Sequence, residues 1–315
     1  MQEFFPQNIS YTVFKLTGFL ALGEWRPILS IPYFLLFLLS TISNSIIIYL
    51  IASQKILHSP MYVLIGIMGV VDLCLPILFV PSLLLNLLIG WNGITLVSCL
   101  IQIFCIQILG AFQSTVLVWM ALDRFFAICR PLYYHEYMEF HSFLKFLIVP
   151  VTRNLILNII MISLAGKLNF CTINEIDHCF CEHMGLVQLA CGDTSINNLI
   201  GLVSAFLIPT SDFLFITASY MVIFISVMKS GKAHLKTVNT SITHIIVMAV
   251  SLAFALISYM SYRIRNNFSP NVRVFLSTMY ILFPSCFNPI IYGIRTTEIR
   301  KQFLKFVNHI KVLPW

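Results

Sequence analysis

The sequence predicts an all-α membrane protein, a bundle of seven transmembrane helices with a short amphipathic helix after the seventh. The first observation is a run of fifty residues, Leu73 to Leu122, that contains no Asp, Glu, Lys or Arg. The second is the composition: 59% of the residues are hydrophobic and 10% are charged, against about 25% charged in soluble proteins. The third is the length of the apolar runs. About 20 apolar residues cross a bilayer as a helix, whereas the strands of a β-barrel alternate over about 10 residues.

Seven apolar segments follow one another along the chain. The fourth is the weakest because Pro150 and Arg153 interrupt it. The chain divides accordingly into an amino-terminal segment (1–26), a membrane domain (27–294) and a tail (295–315). The predicted spans are about 27–52, 60–88, 98–128, 143–165, 195–228, 237–261 and 273–294.

The tail carries an amphipathic pattern. Ile299, Phe303, Phe306 and Ile310 recur at spacings of four, three and four residues, with basic residues between them. This spacing places the apolar side chains on one face of a helix. The pattern predicts a helix that lies on the membrane surface, with membrane lipids as its partner.

The distribution of Lys and Arg predicts the orientation of the bundle. Seven crossings put the chain ends on opposite sides, and the carboxyl-terminal side carries twelve Lys and Arg against six on the other side. The positive-inside rule therefore places the amino terminus outside. We expect a multi-pass protein of the plasma membrane. A glycosylation sequon at Asn8 falls on the same outer side. The net charge of +7 comes mainly from these basic residues in the connections between spans, so no nucleic-acid partner is needed to explain it.

Five of the nine cysteines cluster in or near two connections on the predicted outer side. Such a cluster predicts disulfides formed in an oxidising compartment. The other four fall in apolar runs, where packing is the simplest role. The clustered cysteines are Cys99, Cys171, Cys179, Cys181 and Cys191.

Polar residues within the spans are candidate functional residues because they are costly in hydrocarbon. Asn44, Asp72 and Asn288 lie at similar depths in the first, second and seventh segments. They predict either a site for a sodium ion or water, or a hydrogen-bonded clamp between helices. Arg153 and Asp212, in the fourth and fifth segments, form an ion pair in one hypothesis and contact water separately in the other.

The motifs along the chain resemble those of rhodopsin-like G-protein-coupled receptors, and among them the odorant receptors. The resemblance covers nearly the whole length and departs at Phe125, where the family has Tyr, and at Ser43, where it has Gly. The motifs that carry it are Leu57–Tyr62, Met120–Cys129 with Pro131 and Leu132, Ser219 with Tyr220, Lys236 with Thr240 and His244, and Asn288–Tyr292.

The resemblance implies two disulfides, Cys99 with Cys181 and Cys171 with Cys191, which leaves Cys179 unassigned. The segment His178–His183 also resembles a cluster of metal ligands, but we expect it to form loop structure and predict no metal site.

Together with helical spacing, the resemblance also implies an outward-facing ligand cavity. Ile106 stands where amine receptors carry an Asp, so a protonated amine lacks its usual counter-ion. Arg263 is expected at the cavity mouth, where it either binds an acidic odorant or extends to the lipid headgroups. The predicted ligand-binding residues are Gln107, Gly110, Ala111, Ser114, Ser204, Ile208, Leu252, Leu256, Tyr259 and Arg263.

The predicted function is that of an odorant receptor that activates an olfactory stimulatory heterotrimeric G protein and raises cyclic AMP. No cofactor is expected apart from an allosteric sodium ion. His-Glu-x-x-His and Gly-x-Ser-x-Gly motifs are absent from the sequence, and the chain is not expected to be an enzyme. The alternatives are a non-olfactory small-molecule receptor and a transporter. The residues expected to couple to the G protein are Asp123, Arg124, Lys236, Asn288, Pro289 and Tyr292.

Overall fold

The structure, a computed structural model, describes residues 11–134, 136, 140–171, 173–229, 245, 249–261 and 268–312, and the side chains of all of these except 140–147, 229 and 309–312. Within this part of the chain, six helices are long and apolar enough to cross a membrane, and a shorter apolar helix covers part of the sixth predicted segment. The fold is an all-α, seven-helix membrane bundle. Its helices are α1 (Arg26–Ser53), α2 (Pro60–Ile77), α3 (Val80–Ile89), α4 (Leu96–Cys129), α5 (Phe140–Ala165), α6 (His183–Val187), α7 (Ser195–Lys229), α8 (Ala249–Ser261), α9 (Pro270–Arg295) and α10 (Thr297–Val312).

Local sequence explains several helix boundaries. Pro60 and Pro270 stand in the first turns of α2 and α9, where a missing N–H removes no intrahelical bond. The Thr95 side chain accepts a hydrogen bond from the backbone N–H of Ser98 and so caps α4. The second span differs from the uninterrupted helix predicted from the sequence, because the helix breaks between Ile77 and Val80. Pro76 and Pro81 flank the break, and each removes a backbone donor there.

Short strands gather at the end of the bundle where α1, α4, α7 and α9 begin, which we call the strand end. β1 (Val13–Leu16) pairs antiparallel with β2 (Gly93–Thr95) and parallel with β4 (Glu175–Ile176). β3 (Asn169–Phe170) pairs antiparallel with β5 (Ala190–Cys191). The amino-terminal segment thereby joins the connection before α4 to the long connection between α5 and α7.

The opposite end of the bundle, which we call the tail end, is covered in part by α10. Ile299 is 1% exposed and belongs to a core cluster with Trp119 and Tyr292. The Phe306 ring packs against Tyr49 of α1 with a centroid separation of 5.5 Å. The basic side chains of Arg300, Lys301 and Lys305 are exposed, so the described part of the helix is amphipathic, as its spacing predicts.

Candidate functional site

A largely apolar cavity of about 290 Å³ lies toward the strand end of the bundle. Helices α4, α5, α7, α8 and α9 form its walls, and the segment Phe180–His183 covers it. Such a cavity, with a few polar groups in an apolar wall, is typical of small-molecule sites. The polar side chains of its lining are Gln107, Gln113, Ser114, Asn158, Glu182, His183, Ser204, Ser251, Ser258, Tyr259, Ser277 and Tyr280.

Most of the ligand-binding residues expected from the sequence line this cavity. Leu256 does not belong to the lining, and Arg263 lies outside the described residues. Tyr259, which precedes Arg263 by four positions, does line the cavity, and its ring contacts Phe206 of α7 edge-on. The expected residues found in the lining are Gln107, Gly110, Ala111, Ser114, Ser204, Ile208, Leu252 and Tyr259.

The structure adds three groups of lining residues that the sequence did not single out. One is on α5, one is the cover segment, and one is on α9. A signal for the cover was present in the sequence, since a disulfide from Cys99 to Cys181 brings the next two residues over α4. No comparable signal marked α5 or α9. The added residues include Leu157, Asn158, Met161, Phe180, Glu182, His183, Ser277, Tyr280 and Pro284.

Covalent and polar contacts hold the cover segment in place. Cys99 and Cys181 form a disulfide with their Cα atoms 5.3 Å apart, and the Cys181 N–H donates to Gln102 Oε1 at 2.8 Å. A second disulfide joins Cys171 to Cys191, and Cys179 is a free, buried thiol. The first disulfide therefore fixes the cover to α4, and the second closes the connection between α5 and α7 in which the cover lies.

An ion pair joins α9 to the connection that carries the cover segment. Arg273 Nη2 lies 2.6 Å from Asp177 Oδ2. The neighbouring His178 ring accepts hydrogen bonds from the backbone N–H groups of Cys179 and Phe180. Burial, and secondarily Arg273, lower the pKa of His178 to about 3. The His178–His183 segment thus uses His178 as a structural acceptor, and the described residues contain no cluster of three or more His, Cys, Asp or Glu arranged to hold a metal ion.

A buried polar network lies directly beneath the cavity. Arg153 Nη2 is 3.1 Å from Asp212 Oδ1, so the structure pairs the two charges of α5 and α7. Ser114, a lining residue of α4, donates to Asp212 Oδ2 at 2.6 Å. Arg153 also donates to Ser211 Oγ and to Asn154 Oδ1. The ion pair therefore connects three helices, and one of its partners faces the ligand cavity.

A second buried network surrounds Asp72 in the middle of the bundle. Asn288 Nδ2 donates to Asp72 Oδ2 at 3.0 Å, and Gln113 Nε2 donates to Asp72 Oδ1. Asn44 Nδ2 donates to the carbonyl oxygens of Ser40 and Ser285. The three residues singled out in the sequence thus lie in one polar region, and Gln113 is an added member.

The chemistry of this donor set fits a small cation or water. Asn44 Oδ1 and Asn288 Oδ1 are buried and have no hydrogen-bond partner among the described residues. Two amide oxygens and the Asp72 carboxylate are oxygen ligands of the kind that hard cations take. The same carboxylate is also satisfied by two amide donors, which is the arrangement of a clamp between helices.

Three of the residues expected to couple to a G protein, Asp123, Arg124 and Tyr292, lie toward the tail end. Arg124 Nε is 4.0 Å from Asp123 Oδ2, and the Tyr134 hydroxyl donates to Asp123 Oδ1 at 2.8 Å. Burial and the Asp123 carboxylate raise the pKa of Tyr134 above its ordinary value, so the phenol keeps the proton that it donates. The Tyr292 hydroxyl lies 4.0 Å from Met120 Sδ.

Of the other expected coupling residues, Pro289 is buried within α9 and precedes Tyr292 by three positions. Lys236 lies outside the described residues, as do Thr240 and His244. Asn8, the predicted glycosylation site at the opposite end of the bundle, is also outside them. The sequence predictions for these four polar residues therefore remain predictions.

A seven-helix membrane bundle with a cavity toward one end and an Asp-Arg pair toward the other has the architecture of the G-protein-coupled receptor class. Comparison with known proteins identifies the family within that class. A sequence model described as olfactory receptor matches residues 33–309. The chain is 34% identical to human olfactory receptor 52K1 over 95% of this chain and 97% of that receptor.

Two further relatives agree with this result. Human olfactory receptor 52B6 is 37% identical over 90% of this chain and 85% of its own length. Mouse olfactory receptor 56B34 is 33% identical over 97% and 95%, respectively. The chain belongs to the olfactory receptor family. It is a multi-pass membrane receptor and not an enzyme.

Proposed function

We propose that this protein is an odorant receptor that binds a small odorant in the cavity beneath Phe180–His183. The observation that carries the proposal is the mostly apolar cavity with polar groups on several helices. An apolar ligand gains free energy from leaving water, roughly 25 cal/mol per Å² of buried apolar surface. Membership of the olfactory receptor family supports the same function, with a non-olfactory small-molecule receptor as the alternative.

Binding is proposed to activate a heterotrimeric G protein of the olfactory stimulatory type at the tail end. A ligand shifts a pre-existing equilibrium when it binds one conformation better than the other. Ser114 of α4 both lines the cavity and donates to Asp212 of α7. A ligand that contacts Ser114 can therefore affect the position of α7. The proposed coupling residues are Asp123, Arg124, Lys236, Asn288, Pro289 and Tyr292.

The odorant is proposed to carry an acidic group that pairs with Arg263. The support is positional, because Tyr259 lines the cavity and Arg263 follows it by four positions in the sequence. A guanidinium binds a carboxylate through charge-assisted hydrogen bonds. In cells that report cyclic AMP, Arg263→Ala is expected to abolish responses to carboxylic acids. Unchanged acid responses in this variant would contradict the pairing.

A broad odorant screen in cells reporting cyclic AMP tests the receptor function itself. At least one odorant is expected to raise cyclic AMP in cells expressing the receptor. The control is Arg124→Ala, which leaves the cavity intact and is expected to remove the response while the protein still reaches the cell surface. A response that persists in Arg124→Ala would contradict G-protein coupling through this residue.

The polar region around Asp72 is proposed to hold an allosteric sodium ion or a water network. Asn44, Asp72 and Asn288 would supply the oxygen ligands, and a bound cation would offset the buried carboxylate charge. Replacing sodium by choline is expected to lower the thermal unfolding temperature of the purified receptor if the ion is sodium. Equal unfolding temperatures in the two salts would favour water or the clamp.

The orientation is proposed from the charge bias. The amino-terminal segment, 1–26, would lie outside the cell and be glycosylated at Asn8. The membrane domain, 27–294, would reside in the plasma membrane. The tail, 295–315, would lie along the cytosolic membrane surface.

A further inference from the structure

Two polar oxygens that line the cavity have no hydrogen-bond partner among the described residues. Asn158 on α5 lines the cavity, is 4% exposed, and its Oδ1 has no hydrogen-bond partner in the described part of the chain. Ser204 on α7 also lines the cavity, and its buried Oγ has no partner there either. Buried polar atoms in folded proteins are nearly always hydrogen-bonded, so a pair of exceptions in one cavity requires an explanation.

The behaviour of other helical serines shows that Ser204 is unusual. A serine in a helix ordinarily donates to the carbonyl one turn earlier, which satisfies its hydroxyl. Ser277 donates in this way to the Arg273 oxygen at 2.8 Å, and Ser285 to the Ile281 oxygen at 2.9 Å. Ser204 makes no such bond. Its hydroxyl is therefore available to a molecule within the cavity.

The chemistry of the two atoms selects the complementary group. Asn158 Oδ1 is an acceptor only, so its partner must donate a proton, which an ionised carboxylate and an ether oxygen cannot do. Ser204 Oγ can donate as well as accept. A hydroxyl has the chemistry that both atoms need, because its proton can bind the amide oxygen while its oxygen can accept from the serine. The lining residues Leu157, Met161 and Ile208 supply an apolar surface for a hydrocarbon chain.

We propose that Asn158 and Ser204 form a subsite for the hydroxyl group of an alcohol. The proposal rests on the odorant-binding function assigned to this cavity and extends it, since the subsite lies on the α5 and α7 wall. It is distinct from the proposed acid pairing with Arg263, which follows the lining residue Tyr259 by four positions in the sequence. A ligand can therefore carry a hydroxyl at the subsite with or without an acidic group near Arg263.

Binding to the purified receptor in lipid nanodiscs tests the subsite without relying on a G protein. The probes are octyl alcohol and heptyl methyl ether, which are isomers and differ in the ability to donate a hydrogen bond. Each is titrated while the thermal unfolding temperature is followed. We expect half-maximal stabilisation by the alcohol at a concentration about tenfold or more below that of the ether, because a buried acceptor discriminates against a partner that cannot donate.

Two variants test whether Asn158 and Ser204 cause the preference for the alcohol over the ether. Asn158→Leu has nearly the same shape without the acceptor and is expected to reduce the alcohol preference to about threefold or less. Ser204→Ala is expected to reduce it independently. The matched control is Asn197→Leu, because Asn197 is also buried with an unpaired Oδ1 among the described residues but does not belong to the cavity lining. This control is expected to keep the full preference.

Equal stabilisation by alcohol and ether, stabilisation by neither, or a preference that survives both Asn158→Leu and Ser204→Ala would overturn the subsite. The cyclic AMP screen separates this failure from a failure of the receptor function. Odorant responses without an alcohol preference would remove the subsite alone. Alcohol binding without any cyclic AMP response would retain the subsite and remove the proposed coupling.

Discussion

At the scale of single residues, the cover of the cavity depends on a glycine in the helix beside it. A Cβ atom on Gly201 of α7 would lie 3.0 Å from Cε1 and 3.1 Å from Nδ1 of His183. His183 is 2% exposed and has little room to move. We expect Gly201→Ala to destabilise the receptor by about 1–3 kcal/mol through overpacking. Gly110→Ala is the control, because no heavy atom beyond its own helix turn lies within 4 Å of that added Cβ. Equal unfolding temperatures for the two variants would contradict the close packing.

His178 makes the stability of the cover dependent on pH. Its pKa is about 3 in the folded protein against an ordinary value of 6.5, first because of burial and then because of Arg273. Above pH 6.5 the ring is neutral in both states and contributes no pH dependence. Between pH 6.5 and 3 the unfolded chain binds a proton that the folded chain excludes, so stability falls as the pH falls. The slope is at most about 1.4 kcal/mol per pH unit.

The corresponding experiment compares the wild type with His178→Asn, which retains an acceptor and removes the titration. Thermal unfolding temperatures of both proteins are measured from pH 7.5 to 5, in steps that cross the ordinary histidine range. The wild type is expected to lose more stability over this range than the variant. Parallel pH profiles would mean that His178 does not exclude a proton in the folded receptor.

At the scale of helices, the ion pair beneath the cavity determines how α5 meets α7. Arg153 and Asp212 are 3.1 Å apart. Removing one member leaves the other charge uncompensated, which costs about 3–5 kcal/mol for a buried pair. Asp212→Asn and Arg153→Gln are each expected to reduce surface expression sharply, and the double variant to recover much of it. A double variant no better than the worse single variant would show that each charge is stabilised separately.

Long membrane helices could be predicted from the sequence, whereas a helix break and a short strand could not. The first span was expected at about 27–52 and is Arg26–Ser53, because long apolar runs leave no other stable structure in lipid. The break between α2 and α3 was not predicted, although Pro76 and Pro81 flank it, since a bundle tolerates proline when neighbours satisfy the backbone. β1 was also missed. A strand of four residues has too little periodicity to reveal its pairing with segments far along the chain.

At the scale of the whole molecule, the cavity could be predicted only in part. Helical spacing and the family resemblance together predicted Tyr259 and Ser204 as lining residues. Asn158 was missed, since a single asparagine in an apolar run does not reveal whether it faces lipid or the bundle. The cavity joins five helices and a cover segment. The relative rotation of those helices is set by packing between them, which no single segment encodes.

The orientation of the whole bundle gives the last prediction. Seven spans place the two chain ends on opposite sides of the membrane, and the bias of Lys and Arg places the tail in the cytosol. With an epitope tag at each end, intact cells are expected to bind antibody to the amino-terminal tag alone, and permeabilised cells to bind both antibodies. Cells expressing an Asn8→Gln variant serve as the control, since loss of the glycan should increase gel mobility without changing the staining. Staining of both tags on intact cells would require an even number of crossings, and the positions assigned to the cavity and to Arg124 would then be wrong.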